Sequence, residues 1–131
     1  MKIIFVAALL LAFTSSAYAA QDPELLKRTA VCVKALLQKG HNLDQIVEVF
    51  PTELMTTPRK QCIMVVTDRK PNTECADDPM VGPNIDQGSA ACINSTTNEV
   101  DYVGYFQSLC PPPIPGQSVL KDKAGRVFVS F

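Results

Sequence analysis

The first apolar run, Ile3 to Phe13, is unbroken and follows one positive charge, Lys2. It has the length of a signal h-region and falls short of the roughly 20 apolar residues that span a hydrocarbon core. Thr14, Ser15 and Ser16 interrupt it, and Ala17-Tyr18-Ala19 is a small-x-small cleavage pattern. These features predict a signal peptide over 1–19 and a single secreted domain over 20–131, with no membrane span.

The next pattern has a helical period. Asp22-Pro23-Glu24 is a strong helix start, with Asp as N-cap, Pro in the first turn and Glu at the positive end of the dipole. Leu25, Leu26, Thr29, Ala30, Cys32, Val33, Leu36 and Leu37 then recur at steps of three and four, and Lys39-Gly40 ends the stripe. Asn42 and Gln45 form a capping-box pattern for a second helix with Leu43, Ile46, Val47 and Phe50 on one face, stopped by Pro51. Thr57-Pro58 opens a third segment reaching Lys70 with Cys62, Ile63, Val65 and Val66 as apolar members. Its β-branched run admits a strand, but its start and length favour a helix.

The periodicity disappears from Pro71 to Gly88, where prolines, glycines and acidic residues mark a long loop of the kind that is either tied down or functional. Ser89 is a cap for a short helical turn carrying Cys92, and Thr97 or Asn98 for a last helix with Val100, Val103, Phe106, Leu109 and Cys110 on one side. Pro111 to Pro113 end it. The expected architecture is mainly α: a small disulfide-stapled domain of about four short helices with a long central loop and a C-terminal β-hairpin. The helical part covers 22–110, a proline-rich spacer 111–116, and the hairpin tail 117–131, where Val127, Val129 and Phe131 alternate after the Asp122-Lys123-Ala124-Gly125 turn.

Charge narrows the partners. The chain carries 12 basic and 13 acidic residues, and losing Lys2 with the signal leaves a net charge of about −2. That balance points away from nucleic acid. Asn94-Ser95-Thr96 is a glycosylation acceptor, which marks Asn94 for a glycoprotein.

All five cysteines lie beyond the signal, and in an oxidising compartment they pair, leaving one odd. Cys32 and Cys62 fall on the apolar faces of the first and third expected helices, so a bridge between them closes a loop of about 30 residues and contributes roughly 3–4 kcal/mol. Cys92 and Cys110 flank the last helix as a second pair. Cys75 is then the odd cysteine, in the loop, where it either forms a disulfide-linked homodimer or pairs with Cys92 or Cys62 instead.

The intervals Cys32 to Cys62 and Cys92 to Cys110 resemble those of insect odorant-binding proteins, in particular the subset with four conserved cysteines. The resemblance implies helices bridged around a cavity for apolar ligands. The chain departs from that family's pattern in having Pro58 where its second cysteine stands, in a shorter Cys62 to Cys92 interval, and in the proline run and hairpin.

The residues offer little catalytic chemistry. His41 is the sole histidine and reads as a solvated turn residue. There is no nucleophile-elbow motif and no zinc-ligand set. Glu74, Asp77, Asp78 and Asp86 lack the alternate spacing of an EF-hand loop, so neither metal nor cofactor is expected. Arg59-Lys60 and Arg69-Lys70 read as solvated helix ends. The expected function is a secreted, non-enzymatic binding protein carrying a small hydrophobic ligand in a helix-lined pocket, with Leu36, Ile46, Phe50, Val66, Val103 and Phe106 as lining candidates. The alternative is a secreted effector or structural protein of the venom, saliva, seminal or defence type, acting through protein–protein contacts.

Overall fold

The structure is a computed structural model that describes residues 22–54, 59–75, 77–79, 81–110, 118–123 and 125–130. The signal peptide expected over 1–19 and the proline-rich spacer expected over 111–116 lie outside the described residues. The fold corrects the mainly α expectation. Among the described residues one helix, α1 (Pro23–Gln38), precedes six strands: β1 (Glu48–Leu54), β2 (Lys60–Pro71), β3 (Asn84–Ile93), β4 (Val100–Ser108), β5 (Ser118–Lys121) and β6 (Val127–Ser130). They close into an antiparallel barrel in the order β1-β2-β3-β4-β6-β5. Closure pairs every strand on both sides and removes the exposed edges of an open sheet.

Helix α1 forms as its local signals dictate. Asp22 Oδ1 accepts a hydrogen bond from the Leu25 N–H at 3.1 Å, satisfying one orphan donor of the first turn. Leu25, Thr29, Cys32, Val33 and Leu36 are its buried stripe. Past the C-cap at Lys39, Gly40 takes the left-handed conformation at φ +86°, which turns the chain back onto the sheet.

The second expected helix, 42–50, is instead a short connection leading into β1. Here Phe50, Thr52 and Leu54 alternate into the barrel, and Pro51, expected as a helix stop, sits within the strand. It lies before Glu53, where pairing to β5 begins, so a missing N–H is tolerable there. The third segment is β2, and the Ser89 turn belongs to β3. Both strands are covered on both faces, by the barrel interior and by α1, so their apolar residues run consecutively: Cys62 to Val66, and Ala90 to Ile93. A continuous apolar run has no period that separates strand from helix.

The last expected helix is β4. Its three-residue apolar spacing arises because Phe106 faces the barrel while Val100 and Val103 pack toward α1. The expected loop over 71–88 shrinks to the β2–β3 connection after Pro71, with β3 starting at Asn84. The C-terminal alternation does form the β5–β6 hairpin, but as part of the barrel wall, with β5 beside β1 and β6 beside β4.

Two cores result. The barrel interior holds Phe50, Leu54, Cys62, Met64, Val66, Ala90, Cys92, Phe106, Leu120 and Phe128. Phe128 lies at its centre, 5.5 Å from Phe106 edge-on and 5.7 Å from Phe50. The second core lies between α1 and the outer face of β2, β3 and β4, and contains Leu25, Cys32, Val33, Leu36, Leu43, Ile63, Val65, Ala91 and Ile93.

Small residues in β3 permit both. A β-carbon on Gly88 would stand 1.9 Å from the Val65 carbonyl oxygen and 3.0 Å from the Phe106 ring. Gly88 pairs with Val66 just where the β2–β3 register shifts before Asp68, so the backbones approach at a bulge that only glycine accommodates.

The cysteine pairing also differs from expectation. Cys62 bonds to Cys92 across the β2–β3 ladder, and Cys75 bonds to Cys110. Cys32 is the free one, buried on the sheet-facing side of α1. Cys32 and Cys62 cannot meet because β2 directs Cys62 into the barrel while Cys32 packs on the opposite face of the sheet. The chain thus lacks the helix–helix bridges that the odorant-binding-protein resemblance implies. Cys75 is not the odd cysteine, and its bridge to Cys110 leaves it no thiol for the disulfide-linked homodimer that stood as one alternative. Instead it anchors the β2–β3 loop, which Asn72 also organises by donating to the carbonyls of Cys75 and Gly82 and accepting from the Cys75 N–H.

Candidate functional site

The expected ligand-lining residues do not share a pocket. Phe50, Val66 and Phe106 belong to the barrel interior, whereas Leu36, Ile46 and Val103 pack in the layer under α1. The sheet separates the two sets. A barrel of eight strands has an interior just wide enough for side chains or one small ligand. This barrel has six strands, and its interior is occupied by phenyl rings, a methionine and a disulfide.

Polar groups close one mouth. Asp86 is 2% exposed and receives two hydrogen bonds from Arg69, Nε to Oδ1 at 2.7 Å and Nη2 to Oδ2 at 3.0 Å. Arg69 also donates to Glu48 at 2.7 Å, and these contacts push its guanidinium still further toward the charged form. The Ser108 hydroxyl accepts from the Asp86 N–H. Arg126 lies over the rings of Phe50 and Phe128 at 5.6 and 5.8 Å and binds the Asp122 carboxylate at 2.7 Å. Asp86 is therefore a strand residue with a partner and not part of an acidic loop. The two basic pairs are strand-linked as well: Arg59 faces Glu53, Lys60 faces Asp101 and Lys70 faces Asp68. Among the described residues no cluster of three or more His, Cys, Asp or Glu is placed to hold a metal.

His41 is not the solvated turn residue expected. It follows α1 onto the sheet, where its Nδ1 lies 2.7 Å from Ser89 Oγ and its ring stacks on Tyr105 at 4.1 Å. Ser89 and Tyr105 are partners in the β3–β4 ladder, so the three form one cross-strand cluster. Burial pushes the imidazole below its ordinary value. A serine–histidine contact of this length is what a nucleophile requires. Ser89, however, is only 2% exposed and His41 8%, which leaves the hydroxyl no path to an outside carbonyl in this arrangement. The cluster fastens the end of α1 to the sheet.

Open space lies on the outside. A cleft of about 330 Å³ runs over the seam where β1 meets β5, lined by Arg28, Pro51, Thr52, Glu53, Arg59, Gln61, Lys121, Asp122 and Lys123. The seam is short, consisting of Glu53–Lys121 and Leu54–Leu120 with the Thr52 hydroxyl donating to the Lys121 carbonyl. A second cleft of about 560 Å³ lies beside α1 and the β3–β4 turn, with Glu24, Lys27, Val31, Ser95 and Asn98 in its wall. Arg28 and Gln61 line both, so the clefts are neighbours, and the pair together is called the groove. Asn94 sits at the base of that turn, its Oδ1 accepting from the Thr96 and Thr97 N–H groups. The groove is assembled from α1, β1, the start of β2 and the β5–β6 turn, and no local motif announces it. The nearest signal in the chain is the Arg59-Lys60 pair.

Comparison with protein-family models, with curated proteins and with solved structures finds no match to this chain. The two disulfides, and the lack among the described residues of any helix long and apolar enough to cross a membrane, are compatible with an extracellular protein.

Proposed function

We propose that this is a secreted, non-enzymatic binding protein that works through its outer surface, with the groove on either side of Arg28 as its binding face. The observation that supports this reading is the contrast between inside and outside. Both apolar cores are occupied by the protein's own side chains, whereas adjoining clefts of about 330 and 560 Å³ open on the surface. The sealed Ser89 hydroxyl, lodged beneath His41, favours a binding role over catalysis. Export rests on the apolar leader and cleavage pattern of the first 19 residues together with the bridged cysteines.

Two measurements test the reading. The mature protein is titrated with an environment-sensitive apolar dye; the surface reading expects no saturable binding to the native state. Tight saturable binding that shifts the Phe106 and Phe128 ring resonances would replace it with an internal apolar ligand. In parallel, immobilised wild-type protein is exposed to its own extracellular fluid beside an Arg28→Ser/Lys121→Ser variant. A component retained by the first and lost by the second supports the groove, and identical retention by both removes the groove from the reading.

A further inference from the structure

We propose that the groove takes a sulfated polysaccharide, gripped at the β1–β5 seam by Arg28, Lys121 and Lys123. This deepens the surface-binding reading above and rests on it. The chain as a whole carries a formal charge of −1, so any strongly positive region arises by local sorting. Four cations from separate segments meet in one cleft: Arg28 from α1, Arg59 from the entry to β2, Lys121 from β5 and Lys123 from the β5–β6 turn.

The carboxylates of the cleft leave most of this charge uncompensated. Glu53 lies 3.6 Å from Arg59. Asp122 is turned into the hairpin, where its carboxylate is 6% exposed and held by the backbone and guanidinium of Arg126. Among the described residues no carboxylate lies within ion-pair distance of Arg28, Lys121 or Lys123. Like charges gathered in a concave site focus the field and raise the local concentration of an anion. A guanidinium sharing a cleft with two ammonium groups suits the oxygens of a tetrahedral oxyanion, with Arg supplying paired donors and Lys supplying point charges.

The remaining walls select among polyanions. Among the described residues no aromatic side chain lines either cleft. A protein partner is usually anchored by buried aromatic side chains, and single-stranded nucleic acid by aromatic stacking platforms. Gln61, Ser95 and Asn98 instead offer amide and hydroxyl groups along the groove, matching the hydroxyls of a sugar chain. The second cleft adjoins the first at Arg28, with Lys27 and Glu24 both in its wall, giving an extended chain a neighbouring surface to follow beyond the seam.

The mature, disulfide-intact protein is titrated with heparin, with chemically desulfated heparin and with poly-glutamate. Heparin is expected to bind at low salt, to weaken steeply as salt is raised, and to lose at least about tenfold in affinity in Arg28→Ser/Lys121→Ser, consistent with loss of two charges from a screened site. Lys121→Ser/Lys123→Ser, which alters only exposed strand-end and turn residues, is the second variant and should weaken binding similarly. Lys39→Ser/Lys70→Ser removes the same charge elsewhere and should leave binding unchanged. Absence of heparin binding, equal weakening by the control pair, or undiminished binding of the desulfated polymer overturns the proposal. Equal affinity for poly-glutamate overturns it in favour of an acidic polypeptide. If heparin fails while Arg28 and Lys121 still govern retention from extracellular fluid, the surface reading stands and only the ligand class falls.

Discussion

His41 Nδ1 and Ser89 Oγ lie 2.7 Å apart although 48 positions separate them in the chain. The contact joins the turn after α1 to the centre of the sheet, and Tyr105 covers it from the neighbouring strand. Burial favours the neutral ring, so the folded state has a lower pKa here than the unfolded chain, near 6.5. Above that value both states are neutral and the stability associated with the site is complete. As pH falls from 6.5 through the lower folded pKa, the unfolded chain takes up the proton first and stability declines. Urea midpoints measured between pH 7.5 and 5 should fall with acid in the wild type and fall less in His41→Gln.

Gly88 lies against the Val65 carbonyl oxygen in the β2–β3 ladder, with no room between them for a side chain. Gly88→Ala places a β-carbon 1.9 Å from that oxygen, so one strand must move. The expected cost is about 3 kcal/mol, at the upper end for overpacking. Denaturant unfolding monitored by circular dichroism measures it. A loss below about 1 kcal/mol would show that the bulge at Val66/Asp68 can relax.

The cysteine pattern is open to direct chemistry. Proteolytic mapping under non-reducing conditions should recover Cys62 joined to Cys92 and Cys75 joined to Cys110. One thiol should remain, Cys32. Its burial pushes it up to about 12, so it should resist a thiol reagent at neutral pH until denaturant is added. The double substitution Cys75→Ala/Cys110→Ala should cost roughly 3–4 kcal/mol, the loop entropy of a bridge with this separation.

Asp86 depends on Arg69 for compensation. Arg69→Met removes the guanidinium and leaves a carboxylate 2% exposed without its cation. Breaking such a pair from one side costs about 3–5 kcal/mol. Because Arg69 itself is 29% exposed, the lower half of that range is expected. Adding Asp86→Leu should return part of the loss, and a double-mutant cycle in urea would measure the coupling.

Local chemistry was enough to specify α1 and the β5–β6 hairpin. Asp22-Pro23-Glu24, a one-sided apolar stripe and Gly40 contain the information for a helix within one stretch of chain. Val127 and Val129 alternate in sequence after a turn that Asp122 and Gly125 complete. The segments from Leu43 to Leu109 could not be read this way. Asn42 does make a local cap-like contact, its Oδ1 accepting from the Asp44 N–H, yet the chain continues into β1. In β2 and β3 both faces are buried, so the alternation that identifies a strand is erased.

The sequence alone determined one helix and one hairpin, because each of these is encoded by neighbours in the chain. Tertiary structure decided the rest. Which cysteines meet depends on which side of the sheet each occupies, so Cys62 finds Cys92 inside the barrel and Cys32 stays free on the outer face. The groove exists only after barrel closure brings Lys121 beside Glu53 and Arg28 overhead. Contacts between residues some seventy to ninety-five positions apart leave no periodicity behind, since their energy is gained only when distant faces are buried together.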